Sequence, residues 1–383
     1  MHSIQRKFQD LLDQGGITIN GNKPWDIRIN NEQLYNRLLT NVELAVGESY
    51  MDNWWSCNRL DEFFFRIFNA KIDYQIFKTP LFWRNTMLQS FLKRMYSLFN
   101  FQTKSKATEV DAQHYSIGND LFKFMLDKRM IYTCAYWKNA ETLEEAQEKK
   151  LELICQKLQL EPGMKVLDIG CGWGGFAQYA AENYGVMVTG LTISKAQYEV
   201  ARNLCYDFPV EIRLQDYRDL LQENSIYDRV VSLGMFEHVG YKNHLDYMRI
   251  VAHLLKKEGL FLLHTIGSNL SNIMTDRWID TYIFPNGQLP SIAQIGTSIE
   301  GLFVMEDWEN FGIYYDKTLM AWHHNFTTHW NELKQVYDDR FRRMWEFYLL
   351  SSAASFRARK NQLWQLVLSK NGCKNGYFRP TIN

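Results

Sequence analysis

VLDIGCGWGG, residues Val166–Gly175, is the stretch on which the fold turns. With Lys165 it opens as a short apolar run through Ile169, the length and composition of a buried strand. Gly170, Gly172 and Gly174 follow at alternate positions and lead into a helical pattern that continues to Tyr184. Glycines let the backbone take positive φ and pass close to a ligand. In open α/β sheets, ligands sit beyond the carboxyl ends of the strands, where the next helix begins. Strand, glycine turn and helix together predict a ligand-binding unit.

Outward from this unit the pattern repeats. Val186–Leu191 reads as a second strand, with a helix from Ser194 to about Tyr206. Val210–Gln215, Arg229–Leu233 and Gly259–Thr265 read as further strands, with a helix over Asn243–Leu255. Phe303–Asn310 and Leu363–Ser369 are two late strands. Such alternation predicts a doubly wound, Rossmann-like α/β sheet of seven strands. The first hundred residues differ: they read as short helices, with Ile17–Ile19 and Ile27–Ile29 alternating around the Gly21–Pro24 turn as a small hairpin. QTKSKAT (Gln102–Thr108) is polar and fits a linker. The expected organisation is a smaller, mainly helical domain over 1–101, a linker over 102–110 and a catalytic domain over 111–383.

The chain of 383 residues is long enough for two cores. Lys plus Arg and Asp plus Glu number 43 each, and a net charge of zero argues against a nucleic-acid binder. MHSIQRKFQDLLDQ at the N-terminus has no signal-peptide core. No window approaches the roughly 18 apolar residues of a spanning helix, so a cytoplasmic protein, soluble or peripheral, is expected. Cys57, Cys134, Cys155, Cys171, Cys205 and Cys373 are scattered without a CxxC pair. That predicts reduced thiols, with neither a disulfide framework nor a metal site.

Asp168 narrows the ligand. An acid two residues before the first glycine would repel a pyrophosphate, which disfavours a dinucleotide and with it a nicotinamide oxidoreductase. The same acid suits S-adenosylmethionine, which carries a sulfonium and an ammonium group and no phosphate. Methyltransferases of this fold usually place an acid at the end of the second strand. Here that position reads LTISKAQ, with Thr192, Ser194 and Gln197 in its place, and the third strand ends in Gln215, Asp216 and Tyr217 where adenine should lie.

With these departures, the chain resembles the cyclopropane-fatty-acyl-phospholipid synthases and the related mycolic-acid cyclopropane synthases. The resemblance is carried by HYSIGNDLF (His114–Phe122), YTCAYW (Tyr132–Trp137), LDIGCGWGG, LTISKAQ, GMFEHVG (Gly234–Gly240), LLHTIG (Leu262–Gly267), YIFPNGQLPS (Tyr282–Ser291) and FRAR (Phe356–Arg359). The length and the N-terminal extension match the phospholipid enzymes better than the shorter mycolic type. Some family members carry a cysteine shortly before FRAR; this chain has Ser351 and Ser352, so no cysteine nucleophile is expected there.

The resemblance implies a class I methyltransferase that builds a cyclopropane ring across the cis double bond of phospholipid acyl chains. An isolated alkene is a weak nucleophile, so the donor must be strongly electrophilic and held in line. Attack leaves a carbocation, and ring closure needs a base to remove a proton from the transferred carbon. In the resembling family that base is a bound bicarbonate. Carried over by position, its holders would be Cys134, Glu237, His264, the Ile266 backbone and Tyr315. The adenosylmethionine residues implied are Tyr132, Thr133, Asp168, Gly170, Cys171, Gly172, Trp173, Gly174, Thr192, Ile193, Ser194, Gln197, Gln215, Asp216 and Tyr217. Tyr314 competes with Tyr315, and His238 is read as support for Glu237. Read singly, Cys134 would be a packed small hydrophobe, His264 a core histidine, and Trp173 and Phe236 core rings. The competing functions are methylation of a soluble amine and non-catalytic lipid binding.

Between Asp73 and Glu109 the chain has no acidic residue but carries Lys78, Arg84, Lys93, Arg94, Lys104 and Lys106. Leu81, Leu88, Phe91, Leu92, Met95, Leu98 and Phe99 recur at helical spacing, with Phe82 and Trp83 in front. This pattern is a basic amphipathic membrane-surface helix or a packed helix at a domain or homodimer contact. Docking at the inner face of a bacterial cytoplasmic membrane is the corresponding expectation.

Overall fold

The computed structural model describes residues 2–76, 102, 118–223, 226–271 and 275–381. The basic stretch Leu81–Phe99, all but Gln102 of the expected linker, and His114–Ile117 lie outside them. Two compact units are present: residues 1–100 with 273–285 and 319–361, and residues 101–272 with 286–318 and 362–383. The first unit therefore draws two segments from the expected 111–383 range. Its ion pairs show why. Asp61, buried on helix Leu60–Asn69, accepts from Arg59 and from Arg357 at 2.9 Å, and Arg343 donates to the carbonyl of Trp55 at 2.8 Å. Arg343 and Arg357 both lie on helix Asp339–Arg357. FRAR thus serves this unit's packing.

The expected hairpin does not form. Ile19 and Ile27 make one isolated bridge, while β1 (Arg28–Ile29) pairs antiparallel with β2 (Trp55–Ser56). Side chains have captured the amides a hairpin ladder would need. Asp26 accepts from the amides of Thr18 and Lys23, each at 2.8 Å, and Asn20 accepts from Ile29 at 2.9 Å.

The second unit is built on a seven-stranded mixed sheet in the order β5-β4-β3-β6-β7-β9-β8. The strands are β3 (Lys165–Ile169), β4 (Met187–Thr192), β5 (Val210–Leu214), β6 (Tyr227–Leu233), β7 (Leu255–Ser268), β8 (Val304–Asn310) and β9 (Asn361–Ser369). β3 pairs parallel with both β4 and β6, whereas β8 and β9 are antiparallel. Alternate residues feed opposite faces. Leu167, Ile169, Val230, Phe261, Leu263 and Leu366 enter one core cluster, and Val166, Val188, Val231, Leu260, Leu262 and Val367 the other. Both faces are covered, so apolar side chains on either face of a strand enter a core. The chain leaves β3 toward β4 on one side and returns to β6 on the other, which puts the topological switch point at the carboxyl end of β3. Asp168 lies there, in register with Gly190 and Val231. Among the described residues no helix is long and apolar enough to cross a membrane.

Candidate active site

At the switch point the turn is pinned to β4: the amides of Gly170 and Cys171 donate to the Leu191 carbonyl at 3.0 and 2.8 Å. Gly170 has φ +85°, and a Cβ there would meet the Met235 side chain at 2.8 Å. Gly172 has φ +56° with nothing within 4 Å of a Cβ position, so only backbone conformation demands glycine there. Gly174 continues the turn into helix Gly175–Tyr184.

Asp168 is 1% exposed, and among the described residues neither carboxylate oxygen has a hydrogen-bond partner. Burial pushes its pKa up to about 7, with Lys150 pulling the other way. Lys150, on helix Leu143–Lys157, is fully buried and donates to the Thr133 hydroxyl at 2.9 Å. Burial brings its own pKa down to about 8, opposed by Asp127, Cys134 and Asp168. A buried carboxylate without a donor is costly unless a partner arrives. This one fits a cationic ligand, and hence the donor's charge.

The other positions expected around the donor are partly spent on each other. Thr192 donates to the Gln197 carbonyl oxygen at 2.9 Å, and Ser194 caps helix Lys195–Leu204 by accepting from the Gln197 amide. Ile193, between them, is 38% exposed. Gln215 donates its amide to Thr192 and its side chain to Glu223. Asp216 is held by the Arg218 guanidinium at 2.7 and 2.8 Å, so its charge is already compensated. Tyr217 packs edge-on against Tyr247. Trp173 donates to Asn119 at 3.0 Å and packs on Phe122, which also meets Tyr132. Cys171 is buried in a small cluster with Ala201, Cys205 and Ile212.

At the ends of the next two strands, β6 and β7, a second set assembles. Glu237 sits in the short turn Phe236–His238 after β6, and its Oε1 accepts from the Ile266 amide at 2.6 Å. Burial pushes this carboxyl up to about 7, offset in part by the Ile266 and Glu237 amides and the Thr265 hydroxyl. Oε2 has no well-formed hydrogen bond among the described residues. The NGQLP motif straps this turn: Gln288 donates to the Glu237 carbonyl at 2.8 Å and accepts from the Tyr241 amide at 3.0 Å.

His264 is 1% exposed near the carboxyl end of β7, two residues before Ile266 on the same strand face. The Gln365 amide bonds its Nδ1 at 3.2 Å, and among the described residues its Nε2 has no partner. His238 is half-buried, and desolvation lowers its pKa to about 4. Cys134 is fully buried, which holds its thiol well above the ordinary range, and the Thr318 hydroxyl lies 4.0 Å from its sulfur. Thr318 stands three residues after Tyr315 on helix Ile313–Thr328, so the two share a face. Tyr315 is buried, whereas Tyr314 packs edge-on against Tyr136.

Glu237 therefore keeps an unspent carboxylate oxygen and His264 an unspent ring nitrogen, both buried near one carboxyl edge of the sheet. An acceptor and a ring N–H suit a small oxyanion that carries its own hydroxyl. Bicarbonate meets that requirement. Lys150, Lys157 and Gln365 were not anticipated. The signal was present: Lys150 and Lys157 fall on the same helical face as Leu143, Ala146 and Ile154, and Gln365 interrupts the apolar run LWQLVL. Among the described residues no group of His, Cys, Asp and Glu could hold a metal ion.

Residues 102–366 match the family model for mycolic acid cyclopropane synthetase. The chain is 52% identical over 371 residues, 97% of its length and 94% of the relative's, to the cyclopropane-fatty-acyl-phospholipid synthase of Escherichia coli strain K12. It is 35% identical to a probable fatty acid methyltransferase of Pseudomonas putida, over 70% of this chain and 71% of that one. Among solved structures it resembles the cyclopropane synthase MmaA2 from Mycobacterium tuberculosis at 32% identity and TM-score 0.63, covering 69% of this chain and 98% of that one. Mycolic acid cyclopropane synthase CmaA1, complexed with SAH and CTAB, gives 31% and 0.64 with the same coverage.

Proposed function

The chain belongs to the mycolic acid cyclopropane synthetase family, and from that premise we propose that it moves a one-carbon unit from S-adenosylmethionine onto the cis double bond of unsaturated phospholipid acyl chains, closing a cyclopropane ring. The observation that supports this reading is a pair of incomplete buried polar sites along one sheet edge. Asp168 at the glycine turn suits a cation, while Glu237 and His264 suit a small ion that both donates and accepts a hydrogen bond. A soluble-amine methyltransferase would use both sites, since an ammonium must lose a proton before its nitrogen can attack the methyl group; what favours a lipid substrate is the similarity to phospholipid-modifying relatives.

Adenosylmethionine, when bound, supplies an electrophilic methyl on sulfur. Asp168 attracts its cationic end, and the open backbone at Gly172 allows close approach. The alkene's π electrons form the new carbon–carbon bond as the sulfur–carbon bond breaks, leaving positive charge on the acyl chain. Loss of a proton from the added carbon lets that C–H pair close the ring. Bicarbonate, when bound, supplies the acceptor for this proton. Glu237 would accept a hydrogen bond from that ion and His264 would donate one, with Cys134, Tyr315 and the Ile266 backbone as the further holders that the family resemblance implies. Burial keeps water away from the reacting carbon.

The substrate lies in a bilayer, so a peripheral, cytoplasmic-side association is part of the proposal, with the basic stretch from Lys78 to Lys106 as the docking element and a homodimer as the working assembly. The deciding experiment incubates the protein with methyl-labelled adenosylmethionine and vesicles of defined cis-unsaturated phospholipids. Acyl chains one methylene heavier and carrying the label are expected. Label recovered only in added small amines would replace this reading with the amine methyltransferase.

A further inference from the structure

A histidine serves as a hydrogen-bond donor at Nε2 only if its single neutral proton is on that nitrogen. Three buried side chains settle this for His264. Lys157 is fully buried, and its Nζ donates to Gln365 Oε1 at 2.9 Å and to Glu309 Oε2 at 2.5 Å, with Asp307 at 3.6 Å. An ammonium group has donors and no acceptor. The Gln365 oxygen must therefore face Lys157, and its NH2 group must face His264. That NH2 group lies 3.2 Å from His264 Nδ1. Two donors cannot share a hydrogen bond, so Nδ1 is the lone-pair nitrogen and the proton sits on Nε2, the ring nitrogen without a partner among the described residues. Lysine, glutamine and histidine thus form a one-way relay contributed by helix Leu143–Lys157, β9 and β7.

We propose that Lys157 and Gln365 are positioning residues that lock His264 in its Nε2–H tautomer, so that the ring donates to the oxyanion in the reaction site. The inference rests on the reading that His264 faces that anion; the lock itself rests on the hydrogen bonds alone. The charged groups around the ring agree with a neutral imidazole. Lys150 and Lys157 face it from helix Leu143–Lys157 and, after desolvation, hold its pKa well below the ordinary value. Asp307 and Glu309 of β8 neutralise Lys157, and Glu237 bonds to Ile266 two residues along. Helix Leu143–Lys157 therefore carries one buried lysine beside the donor's acid, Asp168, and a second behind His264.

Substituting Gln365→Glu tests the relay. A carboxylate keeps the contact with Lys157 but can only accept from His264, which draws the proton to Nδ1 and turns Nε2 into an acceptor. Nitrogen-15 NMR of histidine-labelled full-length protein, with the His264 signal identified by its loss in His264→Asn, reads the tautomer directly. The wild type should show an unprotonated Nδ1 and a protonated Nε2, without titrating across neutral pH. Gln365→Glu should show the reverse, a kcat lower by on the order of 100-fold as for loss of one oxyanion donor, and an unchanged KM for adenosylmethionine. Its activity should recover toward acid pH, where an imidazolium regains the Nε2 proton. A merely structural glutamine would give no such acid recovery. Gln365→Met, which makes neither bond, should lose kcat without gaining that limb. A protonated Nδ1 in the wild type, or a Gln365→Glu protein with wild-type kcat and pH profile, overturns the proposal. A wild type with the expected tautomer that transfers no label to lipid would instead overturn the proposed reaction and leave the lock standing.

Discussion

Replacing Asp168 with Asn should raise the stability of the ligand-free protein at pH 8 while weakening adenosylmethionine. Asp168 has its pKa moved from an ordinary 3.8 to about 7 by burial, and among the described residues neither oxygen is bonded. At about 1.4 kcal/mol per pH unit, holding the ionised form in the fold costs on the order of 4 kcal/mol. The sign follows from proton linkage. Below pH 3.8 both states are protonated and nothing differs. Between there and about 7 the unfolded chain releases the proton that the folded chain retains, so stability falls with rising pH, and above 7 the full cost remains. Asparagine carries no charge but leaves an unbonded amide, worth roughly 1–3 kcal/mol against the fold. The variant should thus gain about 1–3 kcal/mol at pH 8 and nothing near pH 5. Removing a charge-assisted contact of about 1.5–3 kcal/mol should weaken adenosylmethionine roughly 10- to 150-fold. Chemical denaturation at both pH values and calorimetric titration with the donor measure the two effects. A stability difference that does not change with pH, together with wild-type affinity, would refute the assignment of Asp168 as the uncompensated acid of the donor site.

Glu237→Gln should leave donor affinity nearly unchanged and lower kcat by on the order of 100-fold or more, read by calorimetry beside labelled-methyl transfer; comparable loss of donor binding would move Glu237 into the donor pocket. Removing dissolved bicarbonate from the wild-type assay should slow turnover, and adding it back should restore the rate; a rate indifferent to both would take the ion out of the mechanism. Changing Arg84, Lys93 and Arg94 to Glu should weaken binding to anionic vesicles, since each basic residue near such a surface contributes about 1 kcal/mol and salt screens it. Equal flotation of variant and wild type at low salt would place the docking surface elsewhere.

The parts of the fold that were legible are those whose chemistry is local. β3, β4 and β6 each carry a short buried apolar core, Val166–Leu167, Val188 with Leu191, and Val230–Val231, set between turn signals that mark the strand. The sequence pattern shows β7 only over Gly259–Thr265, because the strand begins at Leu255 and its next three residues, Lys256, Lys257 and Glu258, are exposed and charged and carry no apolar signature. The hairpin was misread for a related reason. Alternating isoleucines give a strand's period, but Asp26 and Asn20 redirect the amides, and side-chain capture of that kind leaves no periodic trace.

The site divides along the same line. Asp168 and the glycine turn lie within seven consecutive residues, and Glu237 and His264 stand at strand ends where this topology concentrates function. Lys157 and Gln365 do neither: they are separated by 208 positions and meet only through the sheet order that places β9 beside β7. What each residue did show alone was a misfit, a lysine on an apolar helical face and a glutamine inside a strand buried on both sides. Buried polar groups require partners, so a misfit is a demand whose supplier the linear chain does not name. Two unexplained demands, one able only to donate and the other able to donate and accept, leave a histidine in need of a fixed proton as the third member of the set.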